Sequence, residues 1–174
     1  MLRRRIWKKI IDRVLTPVIR FIYRSRLKRL IGGTMVVLTH TGRKTGKTRK
    51  TVLYAKNYNS ISKELMLVSA FGVTDWFLNI CKHPAVLVEV GDVIYVPAQK
   101  ILTVDEIAGL ERRFRQKHPV IARVQAWLMG WPWRCSDDEF LAFAGSLRGV
   151  IFWPKASEPI VDQMEVILAE KTMD

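Results

Sequence analysis

Cysteine is scarce in this chain, and long apolar runs are missing. Cys81 and Cys135 are the only two cysteines in 174 residues. Two thiols do not make a disulfide framework, so a reducing cytoplasm is the expected setting. The three histidines, His40, His83 and His118, are scattered. No close group of histidines and cysteines offers a zinc site, so no metal is expected. No apolar run reaches the roughly 18 residues that a membrane-spanning helix needs. The N-terminus starts with positive charge, as a signal peptide does. However, Asp12, Arg13 and Arg20 interrupt any apolar core, and no small-residue cleavage site follows. Internal repeats and low-complexity linkers are also missing, so one domain is expected from this length.

Acid is scarce too, and unevenly so. The chain holds 29 Lys+Arg against 16 Asp+Glu, a formal net charge of +13. Residues 1–30 carry eleven of the cations and a single acid, Asp12, which leaves 18 cations against 15 acids in the rest. The body is therefore near neutral behind a basic arm. That pattern argues against a broadly basic nucleic-acid-binding surface. Within the arm, Leu2, Ile6, Ile10, Val14, Val18 and Ile22 recur every four residues beside the cations. This is the pattern of an amphipathic helix, with a bend expected at Pro17. Such a helix, carrying Trp7, suits the interface of an anionic bilayer; a helix that covers the folded body, with its cations solvated, is the other reading.

After Gly32-Gly33 the periodicity changes. Segments 34–40, 51–56 and 64–70 are rich in β-branched and apolar residues and read as strands. Residues 74–84 read as a short helix. Residues 86–90 and 93–102 read as a hairpin around Gly91-Asp92, with Pro97 marking an edge or bulge in its second strand. Thr103 with Glu106 and Ser136 with Glu139 are capping-box patterns that open helices through about Lys117 and over 137–147. More helix is expected over 119–129, a strand over 148–153, and a terminal amphipathic helix from Ser157 to about Met173. Asp137, Asp138 and Glu139 suit the first turn of their helix. Cys81 is expected to be buried on its helix and Cys135 to be a free loop thiol. The sum is an α+β protein of five to six mostly antiparallel strands around a curved sheet or small barrel.

The stretch His40 to Thr51, "HTGRKTGKTRKT", holds two glycines and five lysines and arginines beside His40, with no acid. Gly42 and Gly46 permit turns that can aim backbone N–H groups at an anion. Arginine can grip a phosphate in bidentate fashion, while lysine acts as a point charge. The spacing is not that of a Walker A loop, because the glycines stand four apart and a strand follows. From these residues alone, a phosphate-binding loop and a solvated basic hairpin end both remain open.

The combination of "LTHTGRKTGKTRKTVLY", "LVSAFGVTDWFLNICKHP" and "VLVEVGDVIYVPAQKIL", in that order, resembles the deazaflavin-dependent nitroreductase family. The resemblance runs from about Leu30 to Lys117 and resumes at "RGVIFWP". It implies a split β-barrel of the FMN-binding type that holds the deazaflavin coenzyme F420, with FMN as the alternative cofactor. F420 carries a phosphodiester and an acidic oligoglutamate tail, which would account for the cationic loop. Gly42, Arg43, Lys44 and the backbone around Thr45 and Gly46 would meet the phosphate, with Lys47, Arg49 and Lys50 nearer the tail. Ser69, Ala70, Asp75, Trp76 and Asn79 would also border the cofactor. Tyr54 and Ser69 are the candidates for catalytic roles beside the ring. The chain departs from the family pattern at Val52, where proline is common. It also lacks the lysine after the serine and the tyrosines towards the C-terminus, having Trp127, Trp131 and Trp133 instead.

The resemblance thus implies an F420-dependent oxidoreductase that passes a hydride to a small apolar acceptor such as a quinone, an unsaturated lipid or a nitro compound. The alternative is a barrel that holds a flavin, haem or lipid without turnover. The expected organisation is a helical arm over 1–31, a barrel over 32–154 and a C-terminal helix over 155–174. The expected setting is cytoplasmic, peripheral on the inner face of the plasma membrane, with a homodimer formed through an exposed barrel edge. The aromatic stretch "WLMGWPW" (127–133) reads as a pocket lid, a membrane-dipping loop or a packed core loop.

Overall fold

The structure is a computed structural model that describes residues 34–69, 72–157 and 160–162. The helical arm over 1–31, Ala70 and the chain beyond Asp162 lie outside the described residues.

The first strand, β1 (Met35–Thr41), pairs antiparallel with β2 (Thr48–Tyr58) in a register that runs from Met35 opposite Tyr54 to Thr41 opposite Thr48. β2 is thus longer than its apolar stretch predicts, and it takes in Thr48, Arg49 and Lys50. Ladder hydrogen bonding extends the strand into polar sequence, because the backbone groups of β1 need partners whatever the side chains are. β3 (Leu65–Ser69) follows, then helix α1 (Asp75–Lys82), then β4 (Leu87–Val90), β5 (Val93–Tyr95) and β6 (Pro97–Ile101). Helices α2 (Val104–Lys117), α3 (Pro119–Met129) and α4 (Asp137–Gly145) come next, then β7 (Arg148–Pro154). Both predicted capping boxes form, at Thr103 with Glu106 and at Ser136 with Glu139.

The last strand corrects an expectation. Val161 and Asp162 form β8, which pairs with Ile94 and Val93, where a helix from Ser157 was expected. The open edge of β5 offers hydrogen bonds that local helical periodicity does not register. Cys81 is also exposed rather than buried.

The strand order is β6-β7-β3-β2-β1-β4-β5-β8. β6 is at one edge and β5 is next to last at the other, yet only Val96 separates them in the chain. The sheet must therefore curl until its two ends meet. This makes an α+β fold around a nearly closed antiparallel barrel, the split barrel that the sequence implies. Pro97 opens the edge strand β6, where a missing N–H costs no ladder bond.

Two cores result. Val36, Leu38, Leu65, Leu67, Val88, Val90, Tyr95, Val150 and Phe152 fill the barrel with Trp76, Phe77 and Ile80 of α1. On the outer face, Met66 and Leu102 pack beneath α2 and α4 with Ile107, Phe140, Phe143 and Leu147. β3 is accordingly apolar on both faces, as a doubly covered strand should be.

One charged pair lies under α2. Lys56 Nζ is 2.9 Å from Glu111 Oε1, with both side chains buried, and it rests 3.6 Å from the centre of the Phe114 ring. The contact is an ion pair without a well-directed hydrogen bond. Burial pulls the Lys56 ammonium below its usual range, and Glu111 acts the other way. Removing one partner of such a pair strands the other charge. Glu111→Gln is expected to lower unfolding free energy by about 3–5 kcal/mol, whereas the Lys56→Met/Glu111→Leu pair should recover most of the loss. Urea unfolding measures both. A Glu111→Gln protein as stable as the parent would mean that Lys56 reaches water.

Candidate functional site

The basic loop is the tight end of the β1–β2 hairpin. Gly42 N–H donates to Lys47 O at 2.9 Å, and Thr45 and Gly46 N–H both donate to Gly42 O, at 3.2 and 2.8 Å. Glycine is favoured at both positions, for different reasons. Gly46 lies at φ +66°, in the left-handed region. At Gly42 a Cβ would stand 3.0 Å from both Arg49 Nε and Thr45 Oγ1. The N–H groups of Thr45 and Gly46 were expected to meet a phosphate as an anion nest. In this structure both donate to Gly42 O inside the hairpin.

Helix α1 fixes the loop from below. Asn79, buried on this helix, accepts from Arg43 N–H at 3.0 Å and from Arg43 NH1 at 3.1 Å through one Oδ1. Its Nδ2 donates to His40 Nδ1 at 3.1 Å. An accepting Nδ1 leaves the proton of neutral His40 on Nε2, which then donates to Thr51 Oγ1 at 3.0 Å. Lys82 Nζ, at the end of the same helix, donates to Arg43 O at 3.2 Å. Asp75, in its first turn, takes Arg43 NH1 at 2.9 Å. The hydrogen bond from Arg43, then its charge, holds the Asp75 carboxyl below the usual carboxylate range.

The five loop cations therefore divide. Arg43 is held by Asp75 and Asn79, and Lys50 pairs with Glu89 of β4 at 2.8 Å. Lys44, Lys47 and Arg49 are exposed and have no carboxylate partner among the described residues. A cleft of about 230 Å³ opens here, lined by Gly42, Arg43, Lys44, Thr45, Arg49, Asp75 and Asn79. Its donor set, two guanidinium groups and an ammonium with no unpaired carboxylate facing them, fits a phosphate.

The other candidates are placed as follows. Ser69 is buried at the end of β3, where its hydroxyl donates to Gly72 O at 2.7 Å and lies 3.4 Å from Thr74 Oγ1. Thr74 directly precedes Asp75, so Ser69 is tied to the α1 end of the cleft. Trp76 is buried in the barrel core, edge-on to Phe77 with ring centres 5.8 Å apart. Tyr54 is 55% exposed and faces away from the barrel interior that Leu53 and Ala55 line. It stands six residues from the start of β2, about 20 Å along the strand from the loop. A larger cleft of about 690 Å³ lies elsewhere, between Ser62, Glu64, Lys100, Ile151, Trp153, Pro154 and Ile160, and it lacks a convergent polar set. Among the described residues no group of three His, Cys, Asp or Glu side chains could hold a metal ion.

The sequence pattern gives His40 no role beside the cofactor and gives no signal for Lys82 or Thr51. His40 and Asn79 are 39 residues apart. No local spacing signals such a pair, and only the packing of α1 against β1 brings them together.

Residues 20–129, well over half of the chain, match the family model for F420H(2)-dependent quinone reductase. A search of curated proteins found no match. Among solved structures, the chain resembles an F420-H2 dependent reductase, FDR-A, at 21% identity over 68% of this chain and 93% of that one, with a TM-score of 0.44. It also resembles a pyridoxamine 5'-phosphate oxidase-related, FMN-binding protein from Nostoc punctiforme at 10% identity, over 85% and 84% of the two chains, with a TM-score of 0.46.

The buried imidazole of His40 makes the site pH-dependent. Burial first, and then the charge of Arg49, lower its pKa from 6.5. The unfolded chain therefore takes up this proton before the folded one does. The stability contribution of neutral His40 is full above about pH 6.5 and is lost as pH falls towards the lowered folded value. Protonation would also set an Nδ1–H against the Asn79 amide N–H. Urea unfolding between neutral pH and pH 5 should show this loss in the parent and not in His40→Gln. Parallel pH profiles for the two proteins would show that His40 is not its source.

Proposed function

The chain belongs to the F420H(2)-dependent quinone reductase family, and from that premise we propose that this oxidoreductase passes a hydride from its coenzyme F420 to a quinone-like acceptor. The family match is the observation that carries this reading. When bound, the reduced coenzyme supplies the hydride, and the fold supplies orientation and dry surroundings.

The residues of the chain would divide the remaining work. Arg43, Lys44 and Arg49 hold the coenzyme phosphate by side-chain donors at the hairpin end, with Asn79 keeping Arg43 in place. Lys47 extends the positive field towards an acidic tail. Lys50 is occupied by Glu89 and contributes less. The hydroxyl of Ser69, at the α1 end of the cleft, positions the backbone at Gly72. Tyr54 is the exposed phenol further along the same strand as Arg49, and we assign it to orienting the acceptor and donating a proton to the reduced product. Trp76, with its ring buried, supports α1 from within the barrel.

A quinone is favoured among the acceptors because the matching family model is that of a quinone reductase; a hydride and a proton would convert it to a hydroquinone. It also partitions into membranes. The eleven cations and one acid of residues 1–30 suit peripheral contact with an anionic membrane on its cytoplasmic side. The scarcity of cysteine suits the same compartment. We extend the proposal to a homodimer and to the division of the chain into arm, barrel and C-terminal segment.

Titration with F420, followed by its fluorescence, tests the loop. Arg43→Ala/Lys44→Ala should weaken binding at least tenfold, about 1.4 kcal/mol. Equal affinity would overturn the loop assignment. In steady-state assays with menadione, Tyr54→Phe should keep coenzyme affinity and lower kcat. Reduction of nitro compounds or enones with no reduction of menadione would sink the quinone assignment.

A further inference from the structure

Helix α3 leaves large apolar side chains at the surface. A surface helix normally points its large apolar side chains at the protein and its polar ones at water. Among the described side chains of α3, the buried ones are Ala122 at 5% and Ala126 at 2% exposure. Val120 is 74% exposed, Ile121 59%, Val124 52% and Trp127 66%. At 3.6 residues per turn, Val120, Val124 and Trp127 fall within an arc of roughly 60° on the side opposite the alanines. Arg123 borders this arc on one flank and Ile121 widens it on the other.

The surrounding charge is of one sign. From Arg112 to Cys135 the chain holds six lysines and arginines and no acid. Arg112 is paired with Asp137 at 2.6 Å. Arg115 donates to Pro132 O and stacks on Trp133, Phe140 and Phe143. Arg113, Lys117, Arg123 and Arg134 are exposed, with no carboxylate partner among the described residues. An exposed apolar stripe in a stretch whose charges are all positive, with Arg123 on its flank and stacked 5.3 Å over the Trp133 ring, is a pattern that lies in the interface of an anionic bilayer. The stripe enters the acyl boundary and the cations meet phosphate headgroups. No helix among the described residues is long and apolar enough to cross a membrane, so contact would be along the surface.

We propose that α3 docks on anionic lipid, as a second contact besides the N-terminal arm. A second copy of the chain suits this face less well, since a symmetric pairing would bring like cations together. This inference takes the membrane setting from the function proposed above, but it does not depend on which acceptor is reduced. Docking through α3 would hold the barrel against the phase in which a quinone resides.

The test is flotation of the full chain with phosphatidylcholine vesicles, with and without phosphatidylglycerol. The variant Val120→Gln/Ile121→Gln/Val124→Gln removes the stripe and keeps good helix formers. The parent should float with the anionic vesicles, and the triple variant should partition at least about fivefold more weakly. Val124→Glu alone provides a second, independent variant. Equal flotation of parent and variants would overturn the proposal and leave the N-terminal arm as the sole anchor, and so would failure of the parent to float. Sedimentation velocity separates the remaining rival. A parent dimer that becomes monomeric in the triple variant would mean that the face is a self-contact. F420 affinity, measured in parallel, should be unchanged in the variants. Its absence in the parent would refute the function proposed above without touching the flotation result.

Discussion

Val96 carries the tightest constraint in the molecule. It is the single residue between β5 and β6, and those strands lie at opposite sides of the strand order. An open sheet cannot meet that demand, because one residue spans only about 3.5 Å. The sheet has to curl. Curling creates an inside, which Leu38, Leu65, Val88 and Phe152 fill, and an outside, which must be covered where it is apolar. The positions of α2 and α4, the burial of Lys56 with Glu111 and the two-faced hydrophobicity of β3 follow from closure.

Closure also leaves the barrel interior packed with side chains. The hairpin end between β1 and β2 meets helix α1. The carboxamide of Asn79 links them, taking Arg43 with its oxygen and His40 with its nitrogen. It holds in one geometry a loop that would otherwise repel itself. A concentration of like charge destabilises its own compact state. Here Asp75 and Glu89 each offset one of the five cations, and the other three have no carboxylate partner among the described residues. A reductase whose coenzyme supplies the hydride needs little more from its protein than such a grip.

Much of this was legible along the chain. Both capping boxes, the hairpin glycines, the edge-strand proline and the charge of the loop are local signals. Each acts through backbone conformation or neighbours within a few residues. Glycine spacing tells that a tight turn forms and not where its N–H groups point. Thr45 and Gly46 turned inward to Gly42. β8 was missed for a related reason: two residues pair with β5 only because that edge stays open.

By itself, then, the sequence determined an α+β chain with a basic hairpin end and, through motifs in order, its family. Local propensity and charge need no partner distant in the chain. Tertiary structure decided what each charge and apolar group was for. It paired Arg43 with Asp75 and Lys50 with Glu89, and so selected Lys44, Lys47 and Arg49 as the unmatched cations. It placed His40 against Asn79 across 39 residues. It also decided which face of α3 met the protein. Ala122 and Ala126 are buried there, while Val120, Ile121 and Val124 stay exposed.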